Sequence, residues 1–455
     1  MKRKMYVACT CAALAAAAAC ASSEDEPGFV TPGPDSGATI PGERDAAEPP
    51  GDAGADSDGA AIDAGPLCSP AGWCATSLPD SDLTLRDLWA FPGSALAIAT
   101  SPTVGVRVLE WTDAAGAWSY IDDNTQNEAG RGRFVGKLWA SSADELYFTV
   151  APRTVFRGKR GGSPTTWAWT HWDLEDRIPV YAPPFQFPDH YKGLPRHRVT
   201  AIEHAALGVF GTSASDVYAW FGNAIYKLTN DDAGLPAWGV EYVATDVDRP
   251  DEQLFFTAAA GTGPDDMWFA GGRTGNPTDV RACSIVVHKT SAGYRRVADA
   301  VGIAPPPPFP PPPPTPRCGP RPDTVLIEDP SGYTSFLTDI AVESASSVVA
   351  LNGHYALARI TVSGDVYAAS ALTVPPNVAS RPVVSLWTTP SEPLWLGGTN
   401  VVARGDDVWD GGAFAISTIS LNGAWLDTAV HRIRGSSSSD RWAVGARYAL
   451  HKTTP

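Results

Sequence analysis

Residues Gly435–Gly445 read Gly-Ser-Ser-Ser-Ser-Asp-Arg-Trp-Ala-Val-Gly. A turn of small residues ends in Asp440, a short apolar run centred on Trp442 follows, and Gly445 closes it. Turn residues bounding a short aromatic and β-branched run are the signature of a hairpin strand. The same arrangement returns at Leu88–Ala99 (LWAFPGSALAIA), Leu138–Thr149 (LWASSADELYFT), Val209–Gly222 (VFGTSASDVYAWFG) and Ala259–Gly272 (AAGTGPDDMWFAGG). Two further copies stand at Ile340–Gly353 (IAVESASSVVALNG) and Leu386–Gly398 (LWTTPSEPLWLGG), before Ile433–Gly445 itself. Aligned on the middle of the second strand, the copies place Ala97, Tyr147, Tyr218, Trp268, Val349, Trp395 and Trp442 in register, with spacings of 50, 71, 50, 81, 46 and 47 residues.

A repeat of about 48 residues is the period of propeller blades, each a four-stranded sheet that buries its faces only against its neighbours. Seven such units nearly fill residues 67–455. The two long spacings locate insertions near 161–204 and 273–324. A fourth strand headed by an aromatic is expected at Trp118, Trp238, Tyr294 and Trp425. The last copy has none, because the chain ends soon after Tyr448. Gly72-Trp73 and the residues after it look like the missing strand, placed before the first copy. The expected fold is therefore all-β: a seven-bladed β-propeller of four-stranded antiparallel blades, its ring closed by the N-terminal strand near Trp73. Closure removes the two exposed sheet edges that an open ring would carry.

The copies resemble the exported bacterial seven-bladed propellers of the WD-repeat and YVTN-like superfamily, many of them lipoproteins, and Gly435–Gly445 is the copy that matches best. The resemblance covers residues 67–455, with departures at Ala97, Val349 and Pro393. It implies the fold and leaves activity open, because propellers host hydrolases, lyases, receptors and scaffolds. The sialidase-type Asp-box, Ser-x-Asp-x-Gly-x-x-Trp, occurs in none of the copies.

The chain has 455 residues, with 34 Lys and Arg against 50 Asp and Glu, a net charge of −16. A surplus of acid argues against nucleic-acid binding, which needs a basic face. Met1-Lys-Arg-Lys4 followed by an apolar run to Ala19 reads as a signal peptide, residues 1–20, too short to span a bilayer. Its end, Ala17-Ala-Ala-Cys20, resembles a lipobox, so Cys20 is the expected lipidation site and the only membrane attachment. Residues 21–66, rich in Ala, Gly, Pro, Ser and Asp, form the expected disordered acidic linker. Of the remaining cysteines, Cys68, Cys74, Cys283 and Cys318 form an even set in an exported chain and suggest two disulfides. Four cysteines allow three pairings, of which sequence proximity favours Cys68 with Cys74 and Cys283 with Cys318.

Chemistry is harder to find. The first insertion gathers His171, Trp172, Asp173, Glu175, Asp189, His190, Tyr191 and His197, and aromatics beside carboxylates on an insertion are candidate ligand-binding groups. No His-Glu-x-x-His or Cys-x-x-Cys spacing points to a metal, and no motif points to a cofactor. Near-matches at Gly130–Leu138 to a phosphate loop and at Arg404-Gly-Asp406 to an adhesion tripeptide lack the context either needs. The second insertion holds a proline run, residues 305–316, expected as a stiff polyproline II rod. The leading functional expectation is a non-catalytic, lipid-anchored propeller that binds a protein or glycan at the cell envelope. A polysaccharide-directed hydrolase or lyase, and a plain scaffold, are the alternatives.

Overall fold

The computed structural model describes residues 67–454, except 132–133, 163–165, 176–205, 250–251, 275–281, 304–316, 329–335, 354, 418 and 422–427. Strand β1 (Trp73–Thr76) precedes the first complete blade. Blade 1 is β2 (Thr84–Phe91), β3 (Ser94–Ser101), β4 (Gly105–Thr112) and β5 (Ala117–Tyr120); blade 2 is β6 (Val135–Ser142), β7 (Glu145–Val150), β8 (Thr154–Gly161) and β9 (Thr166–Asp173). Blade 3 follows with β10 (Leu207–Ser213), β11 (Asp216–Phe221), β12 (Ala224–Asn230) and β13 (Pro236–Val243). Blade 4 has five strands, β14 (Gln253–Gly263), β15 (Asp266–Thr274), β16 (Cys283–Thr290), β17 (Gly293–Ile303) and the short β18 (Arg317–Pro320). Blade 5 is β19 (Leu337–Ser344), β20 (Ser347–Asn352), β21 (Ala356–Ser363) and β22 (Val366–Thr373). Blade 6 is β23 (Val383–Thr389), β24 (Glu392–Gly398), β25 (Val401–Asp406) and β26 (Ala413–Ser417). Blade 7 is β27 (Val430–Ser437), β28 (Asp440–Gly445) and β29 (Tyr448–Lys452), with β1 as its fourth strand.

Every sheet is antiparallel, and the first strands of the seven blades touch in a cycle, β2 to β6 to β10 to β14 to β19 to β23 to β27 and back to β2. This is the seven-bladed propeller that the repeat predicts, and each blade presents one apolar face to each neighbour. Trp268, Ala270 and Val286 of blade 4 pack on Ile340, Val348 and Ile360 of blade 5, and the other interfaces repeat the arrangement. The three copies that depart from the pattern, at Ala97, Val349 and Pro393, still build four-stranded blades, because burial between sheets asks for apolar volume and not for a particular aromatic.

Ring closure follows the expected route. Trp73 pairs with Lys452 across β1 and β29, and its ring is wholly buried. The indole lies edge-on to Trp395 at 6.1 Å and donates to Ser417 Oγ at 2.8 Å, while Lys452 Nζ donates to the Ala71 carbonyl at 2.7 Å. Both disulfides take the pairing that proximity favours. Cys68–Cys74 ties the chain just ahead of β1, and Cys283–Cys318 joins β16 to β18.

Three expectations need correction. The fourth strand of blade 6 is β26, not a strand headed by Trp425, which lies outside the described residues. A turn through Asp407 and Gly411, both with left-handed backbones, returns the chain directly after β25, so no aromatic is needed to start the strand. Within 161–204, Thr166–Asp173 belong to the blade as β9, so the extra length begins after them. Within 273–324, β16 and β17 are ordinary blade strands, and β18 adds a fifth to a blade expected to have four.

Irregular pairing recurs at two places in the first strands, one near the hairpin turn and one nearer the strand start. Blades 1, 2, 4, 5, 6 and 7 each carry a β-bulge in the first strand, at Arg86, at Gly136 and Lys137, at Thr257, at Thr338, at Val384 and at His431. A bulge re-aims a side chain and releases a backbone N–H from the ladder. Here both effects serve the centre of the ring.

Candidate binding site at the mouth of the central channel

The residue immediately before each quoted copy occupies the same position in every first strand: Asp87, Lys137, Gly208, Ala258, Asp339, Ser385 and Arg432. At this level the channel carries two acids and two bases. Arg432 bridges both carboxylates, with Nε to Asp87 Oδ1 at 2.6 Å and Nη1 to Asp339 Oδ2 at 2.6 Å, and all three side chains are buried. The acceptors also join successive blades. Asp87 takes the N–H of Leu138 at 2.9 Å, Asp339 that of Leu386 at 3.1 Å and Ser385 that of Ile433 at 3.1 Å, each donor being the residue just past the partner blade's channel position. These backbone N–H groups, pointing away from their own ladder, thus make blade-to-blade bonds next to the bulges.

The electrostatics follow from this crowding. Burial works against the Asp339 carboxylate, but Arg432, Lys137 and Arg434 outweigh it and hold the group at about 2. Burial also works against Arg432, and Asp339 and Asp87 hold its guanidinium above the ordinary value. Among the described residues Lys137 has no such partner. Burial, reinforced by Arg432, brings its ammonium down to about 8, and Asp339 and Asp87 only partly oppose that shift.

Two residues further along each first strand lies a second ring: Trp89, Trp139, Phe210, Ala260, Ala341, Trp387 and Arg434. All seven line a cavity of about 500 Å³ where the first strands turn outward, and every blade contributes to its wall. Trp89, Trp139 and Phe210 meet mutually at 6.1 to 6.5 Å, a cluster of tilted and edge-on rings covering one side. The hydroxyls of Ser141, Thr212, Thr262 and Thr388 rim it. Arg434 is the one charged member of this ring. Its Nη1 donates to the Leu386 carbonyl at 3.1 Å, and burial together with Arg432 pushes its guanidinium down to about 10.

The residues singled out in the sequence lie elsewhere. His171, Trp172 and Asp173 sit on β9, the strand of blade 2 furthest from the channel, and Glu175 follows it. Their described contacts are structural. His171 packs on Phe156 at 5.3 Å, Trp172 Nε1 donates to the Pro236 carbonyl of blade 3 at 3.1 Å, and Asp173 accepts from Thr154 Oγ1 at 2.6 Å. The backbone carbonyl of Glu175 accepts from the Tyr226 hydroxyl. Asp189, His190, Tyr191 and His197 lie outside the described residues, as do Cys20 and the proline run.

The sequence did hold a signal for the channel residues that was not used above: in five of the seven copies a charged or hydroxylated side chain stands directly ahead of the repeat's first apolar residue. Among the described residues no group of three or more His, Cys, Asp or Glu side chains is placed to hold a metal ion.

A scan of protein-family models finds no match, and no curated protein matches the chain. Among solved structures the chain is similar to YCF48 from Cyanidioschyzon merolae, with 13% identity over 84% of this chain and 99% of that one and a TM-score of 0.49. It is likewise similar to a structure described as YCF48 bound to D1 peptide, with 12% identity over 86% and 98% of the two chains and a TM-score of 0.49.

Proposed function

We propose that this protein is a non-catalytic binding propeller of the cell envelope, and that the channel mouth is the seat of its ligand. One observation carries the reading: a cavity of about 500 Å³ walled by side chains from all seven blades, apolar and aromatic, with hydroxyls at its rim. A concave, mostly apolar pocket with a few convergent polar groups on a rigid frame is the usual form of a ligand site. The frame is braced by the bonds described above, which tie together the first strands of blades 1, 2, 5, 6 and 7. The carboxylates of the channel ring one level deeper, Asp87 and Asp339, are engaged by Arg432 and backbone N–H groups, so neither is poised to pass a proton to a substrate.

Export and lipid anchoring at Cys20 complete the proposal. They are supported by the basic and apolar N-terminus and by two disulfides, which persist in oxidising compartments. The ligand is a protein segment or a glycan. The test is a titration of the full-length protein against peptide and glycan panels, following Trp fluorescence and product release together. Saturable binding that Trp387→Ala weakens at least about tenfold, without product, supports the reading. Turnover, or binding that Trp387→Ala and Phe210→Ala leave intact, overturns it.

A further inference from the structure

The lower ring of the channel is balanced in charge, with Asp87 and Asp339 against Lys137 and Arg432. The upper ring is not. Arg434 stands at the position where blades 1, 2, 3 and 6 place aromatics, and it carries the ring's only charge. Among the described residues its guanidinium meets a single carbonyl, that of Leu386, and no carboxylate. Of the charged groups that bear on it, Arg432 acts most strongly and disfavours its charge, while Asp339 and Asp87, one level deeper, act the other way without bonding it. A half-buried guanidinium with five donors, one described bond and no carboxylate at bonding distance is costly to maintain in an apolar setting. At the level below, Arg432 is matched by Asp87 and Asp339, while Lys137, which does not line the cavity, carries no ion pair among the described residues. Arg434 is the cation without a paired carboxylate that does line the cavity.

We propose that the channel mouth seats an organic carboxylate, with the anion on Arg434 and its apolar body against Trp89, Trp139, Phe210 and Trp387. The inference rests on the binding reading above and deepens it. A carboxylate matches the planar fork of a guanidinium, to which it can bond with both oxygens. It would also restore the charge balance of the upper ring, while the aromatic cluster across the cavity supplies surface for the rest of the ligand. Asp87 and Asp339 sit one level deeper and are held by Arg432, so they do not compete for Arg434. A free acid and the C-terminus of a chain both offer this group.

Calorimetric titration of the full-length protein with 3-phenylpropionate and with 3-phenylpropionamide tests the anion directly, with no variant needed. A second arm compares N-acetyl-Ala-Phe with its C-terminal amide and separates a chain end from a free acid. The expected result is binding of at least one acid, about tenfold or more tighter than its amide. Arg434→Met should abolish that preference and Arg434→Lys should keep part of it, which separates lost charge from lost folding. Equal binding of acid and amide, or an acid preference that survives Arg434→Met, overturns the carboxylate and leaves the mouth as the binding site. Failure of both acids to bind, while a panel ligand binds and is lost on Trp387→Ala, overturns the carboxylate alone. Failure of every ligand to depend on the mouth residues overturns both.

Discussion

Lys137 illustrates how one side chain can act against the fold that holds it. Burial is what most disfavours its ammonium, Arg432 and Arg434 from β27 add repulsion, and Asp339 from β19 and Asp87 from β2 act against the shift. An ordinary lysine titrates near 10.4, so a value of about 8 means that the unfolded chain binds the proton more tightly than the native one. Stability therefore rises with pH between about 8 and 10.4, and the penalty is fully present below 8. Lys137→Met should raise stability at pH 7 by about 1–2 kcal/mol, with the gain fading above pH 9. Thermal unfolding of both proteins across that range checks it, and a gain independent of pH would show that packing rather than charge is responsible. Asp339 has the opposite sign. Its contribution is present above the ordinary carboxylate value and is lost as pH falls towards 2.

At the scale of the element, the acid that ends each hairpin turn has a defined task. In blades 2, 3, 4 and 7 it stands two residues before the aromatic: Glu145 and Tyr147, Asp216 and Tyr218, Asp266 and Trp268, Asp440 and Trp442. The residue paired across the ladder from each aromatic is basic, namely Arg157, Lys227, His288 and His451. Each base covers the aromatic ring and reaches back to the acid. His288 stacks on Trp268 at 3.7 Å and bonds Asp266 at 2.9 Å, and His451 stacks on Trp442 at 3.9 Å and bonds Asp440 at 2.8 Å. Arg157 and Lys227 lie over Tyr147 and Tyr218 and pair with Glu145 and Asp216. Cross-strand pairs of this kind hold a sheet together from one face. Asp266 also accepts from Trp268 Nε1 at 2.8 Å and Thr262 Oγ1 at 2.5 Å. Asp266→Ala should thus cost about 2–3 kcal/mol, measurable by chemical denaturation, and a loss under about 0.5 kcal/mol would show that the pairing is decorative.

The whole molecule depends on its first and last strands meeting. Without β1, blade 7 would expose the edge of β29, and Trp395 and Ser417 would lose the indole that covers them. Trp73→Ala should cost about 3–5 kcal/mol, and removal of residues 67–79 more, read as a fall in melting temperature. An unchanged melting temperature would mean that the ring is held by its inter-blade faces alone. Anchoring is tested on the same scale: Cys20→Ser should release the protein from the membrane fraction, and retention there would remove the lipid from the proposal.

Repetition made the fold legible. Seven copies of one hairpin pattern, spaced near a blade's length, determine blade number and order without reference to any contact, because each blade needs only an apolar strip on both faces. The orphan Gly72-Trp73 likewise disclosed the closing strand. The site was not legible in the same way. His171, Trp172 and Asp173 read as a cluster because they are polar and aromatic neighbours in sequence; the structure sets them on the outer strand β9, in contact with Phe156, Pro236 and Thr154 and away from the channel, with His171 and Asp173 exposed. Asp87, Asp339, Arg432 and Arg434 are separated by up to 347 residues, and each alone reads as an ordinary strand residue. Only the circular packing of the first strands brings them together, and only the shared burial of that packing turns a spare arginine into an unbalanced charge.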